Sequence, residues 1–249
     1  MKTGLRFALL SVSLSLAAGG CQAQDRDGAL HWNVAVVNDY RFRGISQSRL
    51  SPALQGGVDY TAAHGWYAGV WASTIGWLKD AGATSGSVEV DLNFGRQWAD
   101  GQATWDLGLA RYGFVGNNLH RRGQREDPST TEAYAAYSVA DVTFKYSHVL
   151  TRWMGNPNSQ NSHYIELSKD WALPSGWTLR PHLGHLRVRN TAPSASYADY
   201  AVTVSRNWMP GLSFSASVQG TNADRSVYTT AEGRFTGGVG LVLGLQYAR

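Results

Sequence analysis

Residues 234–247 read RFTGGVGLVLGLQY, with a large apolar residue at almost every second position in its second half. One face carries Phe235, Gly237, Val239, Leu241, Leu243, Leu245 and Tyr247, and the other carries Thr236, Gly238, Gly240, Val242, Gly244 and Gln246. Successive side chains of a β-strand point to opposite faces, so the pattern predicts a strand with one apolar face. An aromatic residue at each end of that face is typical of membrane-crossing strands, which carry aromatic girdles at both interfaces.

The same alternation recurs towards the N-terminus as far as Trp32. It predicts strands at 31–43, 52–62, 65–77, 86–98, 102–114, 130–139, 141–150, 162–172, 176–187, 197–208, 211–221 and 234–247. Their polar faces carry mostly Ser, Thr, Gly, Asn, Gln and scattered acids rather than the Lys and Glu of a solvated sheet. Small polar residues suit a narrow lumen, and strands of this length match those that cross a bilayer.

The connections between these strands alternate in length. Short ones lie at 63–64, 99–101, 140, 173–175 and 209–210, and long ones at 44–51, 78–85, 115–129, 151–161, 188–196 and 222–233. Short periplasmic turns alternating with longer outer loops are typical of bacterial outer-membrane barrels. The prediction is an all-β protein, a transmembrane antiparallel up-and-down β-barrel of about 12 strands.

The N-terminus has the order of a secretory signal peptide. Lys2 and Arg6 precede an apolar run, and small residues follow it. Cleavage after Ala23 predicts a signal peptide at 1–23 and a barrel at 24–249. The stretch Ala18-Gly19-Gly20-Cys21 resembles a lipoprotein box and leaves an alternative open, in which this single cysteine is lipidated rather than removed.

Composition leaves two classes of exported protein open. Charged residues make up 16% of the chain, against about 25% in soluble domains, and there are 10 Trp and 12 Tyr. A secreted carbohydrate-binding β-protein would use as stacking platforms Trp66, Trp71, Trp77, Trp98, Trp105, Trp153, Trp171, Trp177 and Trp208. Most of these lie near predicted strand ends, which favours the barrel. No run of Lys or Arg resembles a nucleic-acid arm, so we expect no nucleic-acid partner.

Three stretches near the start of the predicted barrel are distinctive. They are NDYRFRGISQS at 38–48, PALQGGVDY at 52–60 and GWYAGVWAS at 65–73. Together they resemble the TorF family, a family of proteobacterial outer-membrane porins, over about the first third of the mature chain. The resemblance implies a bacterial outer-membrane location and a porin role, and it supplies no substrate.

The alternation also predicts which side chains face the lumen. The candidates are Asp39, Arg41, Arg43, Gln55, Asp59, Tyr67, Trp71, Glu89, Asp91, Asp106, Lys145, Glu166, Asp170, Arg180 and His182. Charged rings in a channel set its ion preference, and this set mixes both signs. It therefore predicts passive diffusion of small solutes or ions. The alternative is a closed structural or receptor-like barrel, in which paired charges lock the lumen.

Enzymatic and metal chemistry have little support in the sequence. No Gly-x-Ser-x-Gly motif is present, and the neighbours Ser147 and His148 would face opposite sides of a strand. We expect no enzyme, no cofactor and no metal site. The expected partners are outer-membrane lipid and the assembly machinery, which Tyr247 could engage. Lipopolysaccharide is a further candidate through Arg121, Arg122 and Arg125, although an ordinary solvated loop is favoured there.

Overall fold

The computed structural model describes residues 28–119 and 126–249. The predicted signal peptide at 1–23, with Cys21, lies outside the described residues. So do Arg121, Arg122 and Arg125, the arginines considered for lipopolysaccharide.

Twelve strands form the barrel across the described part of the chain. They are β1 (Ala29–Val37), β2 (Ala53–Thr61), β3 (Trp66–Thr74), β4 (Val88–Asp100), β5 (Ala103–Val115), β6 (Thr130–Val139), β7 (Val142–Val149), β8 (His163–Lys169), β9 (Trp177–Arg187), β10 (Tyr197–Met209), β11 (Leu212–Thr221) and β12 (Gly240–Ala248). The two-residue strand Trp171–Ala172 follows β8 and pairs with the same neighbour, β9. Short 3₁₀ helices lie at Ala63–Gly65, Trp77–Lys79 and Pro174–Gly176.

Each strand pairs antiparallel with its neighbours in sequence, and the sheet closes because β1 also pairs with β12. Val34 lies opposite Tyr247 on one side and opposite Gly56 on the other. A closed sheet has no unpaired edge, which is the condition for strands to cross lipid. The predicted fold class is confirmed.

No helix in the described residues is long and apolar enough to cross a membrane.

The outer face of the sheet is apolar. Exposed side chains recur at every second position, including Leu30, Val34, Val36, Leu54, Val58, Val70, Leu92, Phe94, Leu107, Leu109, Leu167, Leu183, Val202, Leu241, Leu243 and Leu245. Such a continuous apolar surface is far larger than soluble monomers expose, and it suits lipid. Trp66, Trp171 and Trp208 are exposed near the ends of strands that short turns connect, where an aromatic girdle belongs.

The two ends of the barrel differ as the sequence predicted. Short connections at 62–65, 101–102, 140–141, 170–176 and 210–211 define the turn end. Longer connections at 38–52, 75–87, 116–129, 150–162, 188–196 and 222–239 define the loop end.

Two predicted strands are too long at the loop end. The strand predicted at 31–43 ends at Val37, and the strand predicted at 234–247 begins at Gly240. Alternation continues past Val37 in the sequence, but residues 39–48 are all buried. A strand in the barrel wall exposes every second side chain, so a continuously buried stretch requires that this segment leaves the wall.

Candidate functional site: the barrel lumen

Residues 38–48, the lumen hairpin, fold into the barrel from its loop end. Arg41–Phe42 pairs with Ile45–Ser46, so Arg43 and Gly44 form the tip. Both tip residues have positive φ, 50° and 79°, which fits the type I′ turns of two-residue hairpins. The Asp39 carboxylate accepts hydrogen bonds from the hydroxyls of Ser46 and Ser48, which hold the base of the hairpin.

Gly44 presses against the lumen wall. A Cβ atom built there would lie 2.5 Å from the Thr221 side chain and 3.0 Å from Cβ of Asp199. Any larger residue would have to push the tip away from β10 and β11. Glycine at this position therefore serves both the backbone conformation and the close approach.

Arg43 crosses the lumen to the opposite wall. Its guanidinium donates two hydrogen bonds to the Glu132 carboxylate on β6, at 3.0 and 2.7 Å. It also lies 4.1 Å from the ring centroid of Tyr164 and 4.8 Å from that of Trp153. Burial alone would lower the pKa of Arg43, but the adjacent Glu132 carboxylate outweighs burial and raises it. The bidentate pair fixes the hairpin tip across the barrel.

Arg41 fastens the other side of the hairpin. Its Nε donates to Asp39 at 2.7 Å, and its Nη1 donates to the Gly238 carbonyl at 2.6 Å. A Cβ at Gly240 would lie 2.4 Å from the Arg41 guanidinium. The side chain thus occupies space that a glycine at the start of β12 leaves open.

Tyr40 contacts the wall made by β3 and β4. Its ring packs edge-on against Trp71, with centroids 5.5 Å apart. Its hydroxyl is buried without a hydrogen-bond partner, and so are Oε2 of Glu89 and Oδ1 of Asp91. Together with the contacts of Arg41, Arg43 and Gly44, this places the hairpin against strands on opposite sides of the barrel. The loop end of the lumen is therefore largely filled.

Polar networks line the lumen below the hairpin. The Tyr164 hydroxyl donates to Asp199, which also lies 3.0 Å from Nε2 of His182. Nδ1 of His182 is 3.6 Å from the Glu166 carboxylate.

Two further groups lie nearer the turn end. The Tyr67 hydroxyl contacts both Asp106, at 2.6 Å, and the Tyr134 hydroxyl. Lys145 lies over the Tyr134 ring, 4.3 Å from its centroid. Arg180 forms a bidentate pair with Asp170, with both distances 2.5 Å.

A cavity of about 70 Å³ lies between the hairpin and one side of the barrel. Arg41, Arg43, Tyr164, His182 and Asp199 contribute its charged and aromatic lining. Asp39 and Tyr40 of the hairpin also line it, and the rest of the lining is small or neutral: Val37, Gly44, Gln55, Ala201, Thr203, Ser215, Ser217, Gln219 and Val242. A cavity of this volume has room for several waters or a small ion.

Three charged side chains, partly buried Arg49 and Asp80 and exposed Glu232, hold together the loops above the hairpin. Arg49 pairs with Asp80 at 3.0 Å and with Glu232. The hydrogen bond from Arg49 lowers the pKa of the Glu232 carboxyl. These contacts join the connections 38–52, 75–87 and 222–239 at the loop end.

All fifteen residues predicted to face the lumen lie within the described part of the chain, and their positions can be compared with the prediction. Eleven of them are strand residues that are buried or partly buried: Gln55, Asp59, Tyr67, Trp71, Glu89, Asp91, Asp106, Lys145, Glu166, Arg180 and His182. Asp170 lies in the connection between β8 and β9. Asp39, Arg41 and Arg43 were expected on a wall strand, and that placement is wrong, because the strand ends at Val37 and they lie in the lumen hairpin.

Sequence reasoning missed several residues that complete the networks. Glu132, Tyr164 and Asp199 are buried and contact hairpin or lumen partners. Each lies on a strand whose alternation was available; on β6, for example, Thr130, Glu132, Tyr134 and Ala136 share the buried face. The pairing of Glu132 with Arg43 had no sequence signal, because it depends on the inward fold of the hairpin.

A closed antiparallel barrel with an apolar outer face and a polar lumen is a transmembrane β-barrel, and solved structures of that class are similar to this chain. The KdgM porin in complex with disordered oligogalacturonate aligns with TM-score 0.54 and 8% identity, over 88% of this chain and 97% of that one. The NanC porin aligns with TM-score 0.52 and 12% identity, over 88% and 98%. The COG4313 outer membrane channel from Pseudomonas putida F1 aligns with TM-score 0.51 and 13% identity, over 92% and 98%. At these identities the likeness concerns the fold.

Residues 23–244 match the family described as "Bacterial protein of unknown function (Gcw_chp)", and the chain belongs to that family. No curated protein matches the chain.

Proposed function

We propose that this protein is a bacterial outer-membrane channel through which ions and very small solutes diffuse passively. The observation that carries the proposal is the partly open cavity beside the lumen hairpin, bounded by charged and hydroxyl-bearing side chains inside a barrel with an apolar exterior. Charges along a pore set its ion preference. The similar porin folds support the class. The hairpin limits the width, so the solutes should be small.

The remaining sequence-based expectations belong to this proposal. Export through the signal peptide at 1–23 and insertion of 24–249 by the outer-membrane assembly machinery would deliver the barrel to its membrane. There it would contact outer-membrane lipid and lipopolysaccharide. The resemblance to the TorF family stays a prediction, as does the absence of enzymatic activity.

A second candidate function is a closed, structural or receptor-like barrel. The extent of the hairpin's contacts favours it: the hairpin touches walls on opposite sides of the lumen, through Glu132 on β6 and Gly238 beside β12. Twelve strands lie between the eight that leave a filled interior and the 16 to 18 of wide pores, so strand number does not decide between the two.

Single-channel conductance of the refolded protein in planar bilayers tests the proposal. Discrete, steady openings are expected, and folding is verified beforehand by heat-modifiable gel mobility. A folded barrel that stays silent would contradict the channel.

The variant Gly44→Ala separates the two candidates, because its added methyl group has to displace the hairpin tip from Thr221 and Asp199. A channel constricted by the hairpin should conduct several-fold more in this variant, and a silent wild type with a conducting variant would indicate a plugged barrel. Gly116→Ala is the matched control. Gly116 also has positive φ, 68°, but nothing lies within 4 Å of its Cβ position.

A further inference from the structure

The basic side chains of the lumen are already engaged. Arg41 is paired with Asp39, Arg43 with Glu132 and Arg180 with Asp170. His182 lies between Glu166 and Asp199. Lys145 lies over the Tyr134 ring at the level of Asp106, since Asp106 and Lys145 both pair with Ala136.

Two deeply buried acids of the lumen lack such a partner. Glu89 and Asp91 are 1% and 2% exposed, and within the described ranges no basic side chain forms a salt bridge with either. They occupy successive inward positions of β4, opposite Ser73 and Trp71 on β3 and Phe114 and Tyr112 on β5. Uncompensated charge in the lumen is thus acidic and concentrated here.

Two carboxylates at successive inward positions of one strand, both deeply buried, cannot both remain ionised without a compensating charge. Each has one oxygen without a partner. The hydroxyl of Tyr40 arrives from a different element, the lumen hairpin, and is also buried without a partner. The three unpartnered oxygens are hard donors of the kind that bind alkaline-earth cations.

We propose that Glu89, Asp91 and Tyr40 form a binding site for a hard divalent cation such as Ca²⁺. A charge of +2 neutralises both carboxylates, and bound cation ties the hairpin to β4 through the Tyr40 hydroxyl. The site deepens the proposed function in one respect, since fixed acidic charge beside the constriction gives the channel a preference for cations. That selectivity rests on the proposed function, whereas the binding site does not.

Luminescence of Tb³⁺, a hard trivalent probe for Ca²⁺ sites, tests binding without any need for conductance. Trp71 packs against Tyr40 and can sensitise a bound ion. We expect saturable sensitised emission from the folded barrel, displaced by Ca²⁺, whether the ion is added before or after refolding. The double variant Glu89→Gln/Asp91→Asn should bind at least tenfold more weakly, and Tyr40→Phe should bind severalfold more weakly.

Asp100→Asn is the matched control, because Asp100 is an exposed acid at the turn end of the same strand. Its emission should equal that of the wild type. No saturable emission from folded wild type, or unchanged emission from the folded double variant, would overturn the site. Removing buried unpaired acids should not prevent folding, and heat-modifiable mobility verifies this for each variant.

The proposed preference for cations is tested in a separate experiment, which measures the reversal potential under a KCl gradient. Wild type that conducts should prefer K⁺, and the double variant should lose at least half of that preference. Binding together with a silent bilayer would overturn the proposed channel and leave the cation site standing. Conductance without Tb³⁺ binding would overturn the cation site and leave the proposed channel standing.

Discussion

Two walls of the lumen differ in the size and charge of their side chains. The charged wall, formed by the inward residues of β4 to β8, includes the large or charged side chains of Glu89, Asp91, Asp106, Tyr112, Glu132, Tyr134, Lys145, Tyr164 and Glu166. The small-residue wall, formed by those of β10 to β12, includes Ala201, Thr203, Ser205, Ser213, Ser215, Ser217, Val242 and Gly244. The cavity lies against the small-residue wall. Large side chains of one wall therefore bind the hairpin, whereas the other wall contacts the hairpin mainly through backbone groups and leaves space beside it.

The comparison shows how one barrel can hold both a rigid constriction and a path. Large side chains on the charged wall reach the hairpin and bind it through Glu132 and Tyr164. The short side chains of Thr203, Ser215 and Ser217 on the opposite wall leave the cavity between themselves and the hairpin. Stability should depend on the charged wall, and conductance on the small-residue wall.

The largest effect on stability is expected when the ion pair between Glu132 of the charged wall and Arg43 of the hairpin is broken. Glu132→Ala should lower the free energy of unfolding by about 3–5 kcal/mol, because it leaves the buried Arg43 guanidinium without its carboxylate. Urea unfolding of the barrel in lipid vesicles measures this change. The double variant Arg43→Met/Glu132→Leu is the control and should regain most of the loss, since no buried charge is then left alone. A loss below about 1 kcal/mol in the single variant, the range of exposed ion pairs, would refute the anchor.

Asp199→Ala should have the next largest effect, because Asp199 joins the two walls. It accepts from the Tyr164 hydroxyl and lies 3.0 Å from His182. Hydrogen bonds to charged groups contribute about 1.5–3 kcal/mol, and the same unfolding experiment should show a loss in that range. Asp199→Asn keeps one acceptor oxygen and should lose less. Equal losses in both variants would point to the charge rather than the hydrogen bonds.

The sequence predicted the walls better than it predicted what fills them. Alternation along a strand is local, so the inward positions of Glu89, Asp91 and Lys145 followed from their own neighbours. The order of short and long connections identified the barrel for the same reason. Nearly all strand ends agree with the prediction to within a few residues.

The lumen hairpin could not be predicted in this way. The Asp39–Arg43 stretch continues the alternation of β1, and nothing local shows that the chain turns inward after Val37. The turn is stabilised by partners far along the chain, such as Glu132 and Gly238. The Arg43-Gly44 pair, which takes positive φ in the structure, was the one weak local sign, because Arg-Gly is a weaker signal for a type I′ turn than Asn-Gly.

A matched pair of alanine-to-phenylalanine substitutions tests whether the two walls differ in the free space beside them. Ala110 is 3% exposed within the packed core on β5, whereas Ala201 on β10 lines the cavity. Ala110→Phe should destabilise the barrel by about 1–3 kcal/mol through overpacking. Ala201→Phe should cost less and should instead lower single-channel conductance severalfold. Equal stability losses with no change in conductance would show that the cavity is not part of the path.

The smallest effect is expected from a neutral hydrogen bond on the small-residue wall. The Thr203 hydroxyl donates to the Ser217 hydroxyl at 2.8 Å. Thr203→Val should cost only about 1 kcal/mol, the net value of a neutral hydrogen bond, and should leave conductance near that of the wild type because the side chain keeps its size. The control Thr203→Val/Ser217→Ala removes both partners and should cost no more than the single variant. A loss as large as that of Asp199→Ala would mean that side chains of the small-residue wall stabilise the barrel as strongly as those of the charged wall, and the division of roles between the two walls would fail.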